Sequence, residues 1–302
     1  MGILNNIRVL IIGGDAREAE IARLLQNDQA KVTAFATHPD VAKIIDSPQC
    51  KSLEEGIKNA DVLLLPIPGM GMDESIYAPH AQEKVYIKEE NLRVAKPNLL
   101  IIMGTASSKF REIIKSKNFP LKEYEADDEL MILRSRATAE GAVQIAMANT
   151  DFIIHKSNIL LIGFGRTGQT LANLLIAMRA NVLVAARNPI QRARAWEMGA
   201  ETIPLEEIID HISKMDIVYN AVPLRLLNEE AFQKSQPHTL YIDISAPPGG
   251  IDWELLAKVG RKGVWGRGLP GKRAPKTAGQ IQYIGIRRIL ISELGLKDSW
   301  SF

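Results

Sequence analysis

The chain is short of cysteine, of paired histidines, of long apolar runs and of charge of one sign, and each shortage removes a class of protein. A single cysteine, Cys50, stands in 302 residues, so there is no intrachain disulfide and no cysteine cluster for a metal, and a reducing compartment is implied. The five histidines, His38, His80, His155, His211 and His238, show neither HExxH spacing nor close pairing, and no metal site is expected. The apolar runs at Ile7–Ile12 and Leu99–Met103 are far too short to span a bilayer, and Met1–Arg8 lacks the charged-then-apolar pattern of a signal peptide. A cytoplasmic protein that meets no membrane is expected. The net charge is only +2, with 24% charged residues, which argues against a nucleic-acid surface as the main business. What remains, at 46% hydrophobic, is a globular chain with room for two domains.

Strand-like and helix-like runs alternate from end to end, the mark of an α/β fold with parallel sheets. In the first half the pattern predicts strands at Arg8–Ile12, Lys31–Ala36, Asp61–Pro66 and Leu99–Gly104, with helices near Ala16–Gln26 and Ser108–Ser116. Glu123–Leu133 reads as a final strand carrying Asp127 and Asp128 near its start. From Thr138 to His155 the spacing turns helical and predicts a helix crossing between domains. Strands at Asn158–Ile162, Asn181–Ala186, Asp216–Val222, Thr239–Ile244 and Gly263–Trp265 then suit a second domain of five strands. After a loop from Gly268 to Pro275, a helix from about Lys276 to Leu294 crosses back. The expected architecture is two doubly wound, Rossmann-like parallel-sheet domains joined by two long interdomain helices. Residues 1–137 form the N-terminal substrate domain, with 276–302 packing back on it, and 138–275 form the interdomain helix and the nucleotide domain. Functional loops at the carboxyl ends of the strands would face a shared cleft.

The most specific local feature is the apolar run Ile159–Ile162 followed by Gly163-Phe164-Gly165-Arg166-Thr167-Gly168 and an apolar-periodic stretch to Met178. In a strand–turn–helix context, Gly163 permits the tight turn, Gly165 lets a pyrophosphate approach the backbone, and Gly168 lets helix and strand pack closely. N–H groups at the helix start would bind the phosphates, with Arg166, Thr167 and Gly168 as the candidate cofactor-binding residues there. After the next strand, where an NAD-binding fold places a carboxylate for the ribose 2′-OH, this chain has Arg187-Asn188. With no carboxylate to repel a 2′-phosphate, Arg187, Arg192 and Arg194 are candidates to hold one, and NADP is the expected cofactor. The alternative is that these arginines are solvated charges. Asn220, Val222 and Pro223 close one strand and Ser245 follows another; these, with Gly268, are expected on the nicotinamide side.

Three further loops carry candidate substrate groups. Gly13-Gly14-Asp15-Ala16-Arg17 lacks a third glycine and suits a small anion, held by loop amides at Gly14 and by Arg17; Asp15 is equally readable as a helix cap. Thr105 and Ser107, in a hydroxyl-rich loop, are candidates for a carboxylate, or Ser107 caps the next helix. Lys276 and Thr277 open a helix after a cationic glycine–proline loop, an arrangement that suits a dicarboxylate.

These segments together resemble a known family, the A subunits of bacterial dipicolinate synthase. The resemblance rests on Ile12-Gly13-Gly14-Asp15-Ala16-Arg17, Thr138-Ala139-Glu140-Gly141, the Gly163–Gly168 fingerprint, Pro247-Pro248-Gly249-Gly250, and Gly268-Leu269-Pro270-Gly271 with Ala274-Pro275-Lys276-Thr277-Ala278-Gly279, in order across nearly the whole chain. It implies an NADP-dependent oxidoreductase of dipicolinate biosynthesis in sporulation. Its substrate would be a dihydro- or hydroxytetrahydro-dipicolinate, and its partner would be the flavoprotein-like B component of dipicolinate synthase. The chain departs from the family's usual pattern at Arg134-Ser135-Arg136-Ala137, before Thr138; these arginines either change the substrate geometry or add carboxylate donors.

On this reading, hydride passes from a ring carbon to NADP+, and aromatisation supplies much of the driving force. Glu140 or Asp15 would serve as acid–base group, with Lys276 holding the substrate, although Glu140 is also readable as a first-turn residue stabilising its helix dipole. The competing readings are an amino- or hydroxy-acid dehydrogenase of the alanine dehydrogenase type, for which no His or Lys base is placed, and a non-catalytic NADP-sensing partner protein. A homo-oligomer is an expectation drawn only from the apolar interdomain helices.

Overall fold

The computed structural model describes residues 2–45 and 49–296; the end of the 276–302 segment beyond Leu296 lies outside the described residues. The chain divides into two compact units, residues 1–131 with 274–302 and residues 132–273.

Unit 1 runs β1 (Arg8–Ile12), α1 (Arg17–Asn27), β2 (Lys31–Phe35), α2 (Pro39–Ile44), α3 (Leu53–Asn59), β3 (Val62–Leu64), β4 (Leu100–Met103), α4 (Ser108–Ser116) and β5 (Leu121–Glu123). The long helix α5 (Asp128–Asn149) carries the chain into unit 2. That unit runs β6 (Asn158–Ile162), α6 (Arg166–Ala177), β7 (Asn181–Ala185), α7 (Pro189–Glu197), β8 (Glu201–Ile203), α8 (Ile208–His211), β9 (Ile217–Asn220), α9 (Glu229–Lys234), β10 (Leu240–Asp243), α10 (Trp253–Lys258), β11 (Lys262–Trp265) and α11 (Leu269–Arg273), and α12 (Pro275–Glu293) returns to unit 1.

Both sheets are parallel, ordered β2-β1-β3-β4-β5 and β11-β10-β9-β6-β7-β8. Leu10, Ile11, Leu160 and Leu161 are fully buried, because each sheet is covered on both faces and a central strand has no wet side. In unit 1 one face packs Ile21, Leu25 and, from α12, Tyr283, Ile286 and Leu290, while the other packs Ile57, Phe110 and Ile114. In unit 2, Ala142, Ala146, Leu171 and Leu175 cover one face and Ile212, Phe232 and Leu256 the other. Side-chain caps set helix starts: Ser52, Ser107, Asn228 and Asp252 each accept an amide of the first turn, and Pro39, Pro189 and Pro275 take the position that needs no donor.

Three expectations are corrected. The strand predicted over Glu123–Leu133 is instead the end of β5, a 3-10 turn at Tyr124–Ala126 and the start of α5; Asp127 caps this start by accepting the Leu130 amide at 3.0 Å. The nucleotide domain has a sixth strand, β8, paired with β7. The segment after Gly268 is not all loop, since α11 occupies Leu269–Arg273. Among the described residues no helix is long and apolar enough to cross a membrane.

Candidate active site

In unit 1 the functional loops stand at the carboxyl edge of the sheet. Gly13 and Gly14 follow β1 with φ of +69° and +88°, which a side chain would resist. Their amides are not free for an anion. The Gly13 amide donates to Phe35 O at 3.0 Å, the Gly14 amide to Tyr77 O at 2.7 Å, and the Asp15 amide to Glu18 Oε2 at 2.7 Å. Arg17 is likewise turned away from the role of a substrate donor: it is 2% exposed, and its guanidinium binds the Asp15 carboxylate through Nε at 2.8 Å and Nη2 at 2.9 Å. Burial works to raise the Asp15 carboxyl, but the Arg17 hydrogen bonds and charge outweigh it and hold the group below its usual range. Such a carboxylate is a structural anion and a poor general acid. Asp15 also accepts the Arg17 amide at 3.2 Å, at the start of α1, whose cap position is Ala16 with no side-chain cap.

Glu18 shares this buried cluster, with Oε1 unpaired among the described residues. Burial first, and the neighbouring Asp15 charge, push its carboxyl up to about 7 against the pull of Arg17. Because the folded pKa lies above the unfolded value of 4.5, the fold favours neutral Glu18. Stability held below pH 4.5 is therefore lost as the pH rises to about 7, to a total of about 3 kcal/mol. Glu18→Gln should remove that loss, so the stability gap between variant and wild type should shift by this amount between pH 4.5 and 8 in urea titrations. A gap constant across the range would mean that Glu18 is ionised throughout.

The first turn of α12 lies against α1. A Cβ at Gly279 would stand 2.7 Å from Arg17 O and 2.9 Å from the Glu20 Cβ, and Gln280 donates to Glu20 at 2.9 Å. This brings Lys276 and Thr277, both exposed, to the start of α1. No side chain caps α12, so its first amides have no internal partner. Across the sheet edge the Thr105 hydroxyl is buried and makes no hydrogen bond among the described residues, whereas Ser107 caps α4 by accepting the Phe110 amide at 3.0 Å. Of the candidate substrate groups in unit 1, those left free are thus Thr105, Lys276 and Thr277.

In unit 2 the glycine fingerprint joins β6 to α6. Gly163 has φ +96°, and a Cβ there would stand 2.6 Å from Val222 Cγ1. A Cβ at Gly168 would run into the Gly163 carbonyl oxygen, while one at Gly165 meets nothing within 4 Å. The turn is therefore filled behind and open in front, the shape that admits a diphosphate to the first amides of α6, those of Arg166, Thr167 and Gly168. Beyond β7, Arg187 is exposed. Arg192 Nη1 donates to the carbonyls of Ala186 at 2.7 Å and Arg187 at 2.9 Å, so Arg192 braces the turn that carries Arg187. Asn188 caps α7 through the Ile190 amide at 2.8 Å, and Arg194 pairs with Glu197 at 2.9 Å.

Asn220 and Ser245 converge on a residue to which the sequence assigns no role. Asp243 is fully buried. Its Oδ1 accepts from Ser245 Oγ at 2.6 Å, the Ser245 amide at 2.9 Å and Asn220 Nδ2 at 3.0 Å, and its Oδ2 accepts from the amides of Gly250 at 2.7 Å and Ile251 at 3.2 Å. Asn220 also donates to Val222 O at 2.8 Å. Asp243 thus ties the loops after β9 and β10 into one piece; Pro223 stands on the first of them. Gly268, at φ +66°, is exposed after β11. Thr138 and Glu140 lie inside α5, and Glu140 is the thirteenth of its 22 residues, so the first-turn dipole reading does not apply. Its side chain is exposed.

Comparison with known proteins agrees with the two-domain parallel α/β fold. Residues 8–125 match the model of the N-terminal domain of the dipicolinate synthase A subunits, and residues 144–254 that of shikimate / quinate 5-dehydrogenase. The chain is 32% identical over 280 residues to the dipicolinate synthase A protein of Bacillus subtilis, covering 92% of this chain and 94% of that one. The chain belongs to the family of dipicolinate synthase A subunits. Two crystal structures from this family superpose on it. The Bacillus halodurans protein has a TM-score of 0.86 at 31% identity, covering 96% of this chain and 99% of that one; the Bacillus subtilis protein has 0.84 at 30%, covering 97% and 98%. As a member of this family the chain carries the dehydrogenase-like Rossmann domain of an oxidoreductase, with a nicotinamide nucleotide as the implied cofactor.

Proposed function

We propose that the protein is an NADP-dependent dehydrogenase that forms pyridine-2,6-dicarboxylate from a dihydro- or hydroxytetrahydro-dipicolinate, acting with the B component of dipicolinate synthase as its partner. The observation that carries the dehydrogenase part is the open face at Gly165 in front of the first turn of α6, whose start no side chain caps; the substrate class follows the relatives named above. Arg187, with no carboxylate between it and Arg192, favours the 2′-phosphate of NADP over a bare ribose.

Bound NADP+ supplies the hydride acceptor. The protein's own contribution is chiefly orientation: Lys276 and Thr277 take a substrate carboxylate through an ammonium and helix-start amides. With a dihydro substrate, loss of one hydride and one proton gives the aromatic ring. With a hydroxylated substrate, water must leave first, and Glu140 is the available acid–base group.

The test is to supply the purified chain with freshly made dihydrodipicolinate-synthase product and either NADP+ or NAD+. Appearance of NADPH together with dipicolinate is the expected result; nucleotide binding without reduction would move the chemistry to the partner. In the same assay Arg187→Asp should weaken NADP+ binding by roughly 100-fold, the worth of a charge-assisted contact to phosphate, and improve NAD+. Unchanged nucleotide preference would remove Arg187 from cofactor selection.

A further inference from the structure

The link from β11 to α11 carries a cation that none of the loops above explains. Arg267 is exposed, as its neighbour Gly268 is, and among the described residues it forms no ion pair and no side-chain hydrogen bond. Its guanidinium lies 4.9 Å over the ring of Trp265, and its amide donates to the Trp265 carbonyl at 2.9 Å. The indole beneath it is built in. It stacks on Trp253 at 6.1 Å between centroids, donates to Ser245 O at 3.4 Å, and leaves a Cβ at Gly249 only 3.0 Å of room. The preceding Gly266 amide donates to Asp243 O at 2.7 Å. Arg267 is therefore seated on the same assembly that Asp243 organises.

Its place in the sheet says what it is not for. In the order β11-β10-β9-β6-β7-β8, Arg187 stands one strand from the phosphate-binding turn after β6. Arg267 stands three strands away on the other side, on the order of 14 Å. A dinucleotide laid across the carboxyl edge puts its phosphates at β6 and its reacting ring toward β9 and β10, so Arg267 belongs with the ring and whatever reacts there. A guanidinium over an aromatic face, with no ion pair or side-chain hydrogen bond among the described residues, is a receptor for a carboxylate.

We propose that Arg267 binds one carboxylate of the substrate beside the nicotinamide and so selects a dicarboxylate over a monocarboxylate. This rests on the dehydrogenase reading above. Calorimetry on wild type, Arg267→Gln and Arg267→Lys would use pyridine-2,6-dicarboxylate, pyridine-2-carboxylate and NADPH as probes. The wild type should prefer the dicarboxylate. Arg267→Gln should weaken dicarboxylate binding at least tenfold, bring the two pyridine acids to within a few-fold of each other, and leave NADPH affinity within twofold of wild type. Arg267→Lys should fall between, keeping the charge without the fork. A Gln variant that keeps the wild-type preference would overturn the role of Arg267 and leave the proposed function standing. A wild type that binds NADPH but neither pyridine acid would overturn both the dicarboxylate reading and this role. A Gln variant that lost NADPH binding equally would show Arg267 to be structural and also overturn it.

Discussion

Asp243→Ala should cost about 4 kcal/mol of folding stability, a large share of the 5–15 kcal/mol typical of a folded protein. The carboxylate accepts five hydrogen bonds at zero exposure. Removing it strands the Gly250 and Ile251 amides and the two Ser245 donors where water enters poorly, at about 1–3 kcal/mol for each donor left without a partner, less what relaxation recovers. Asn220 suffers least because it keeps Val222 O. Asparagine should not rescue the site, since both oxygens face donors and either orientation of the amide sets an NH2 against an N–H. Urea unfolding of both variants, followed by NADPH titration of the folded protein, is the check. A loss under 1 kcal/mol would mean that the loops from Asn220 to Ile251 are held by something other than Asp243. The expected companion effect is weaker nucleotide binding, because the loops after β9 and β10 lose their common anchor.

Asp243 also marks where legibility in the sequence ends. The β6–α6 turn can be read from its residues because each glycine answers a local demand along one stretch of chain. The partners of Asp243 come from segments 23 residues before it to 8 after it, and nothing in the spacing of Asn220, Ser245 and Gly250 announces that they meet. The same limit governs the Gly13–Arg17 loop. Its glycines and its arginine are visible in the sequence, but the carbonyl that takes the Gly14 amide belongs to Tyr77, far along the chain, and Arg17 is sealed against Asp15 where α12 packs on α1. Among secondary elements, Leu130-Met131-Ile132-Leu133 misleads because a short apolar run fits a buried strand as well as a helix. The deciding feature is the Asp127 cap together with its pairing to Arg288 on α12. Strand β8 escapes notice because three residues, Glu201-Thr202-Ile203, are too few to show alternation. Arg267 is legible as a cation in a glycine-rich link, but its seat on Trp265 is not.

The glycine turn offers a second large effect, and a pair of variants separates its two causes. Gly168→Ala places a methyl group against the Gly163 carbonyl oxygen, and the conflict is backbone against side chain with nothing flexible to yield. Gly163 cannot retreat: its amide is held by Ala185 O at 2.9 Å, and Val222 Cγ1 packs behind it. The start of α6 must move outward instead, which separates the amides that would hold the diphosphate. Stability should fall by about 2 kcal/mol, in the range of an overpacked core, and NADP(H) affinity by roughly 100-fold or more, as expected when the pyrophosphate loses its helix-start donors. Gly165→Ala meets no atom within 4 Å, and its φ of −81° suits alanine, so the variant should unfold at the wild-type urea concentration. Its methyl group nonetheless enters the space through which the diphosphate reaches the backbone, and affinity should drop by roughly 10- to 100-fold with no loss of stability. Chemical denaturation and NADPH fluorescence titration, run on both variants, distinguish a packing glycine from a binding glycine. If Gly165→Ala binds NADPH as tightly as wild type, the nucleotide does not lie against this turn, and the cofactor site must be sought elsewhere on the carboxyl edge of the second sheet.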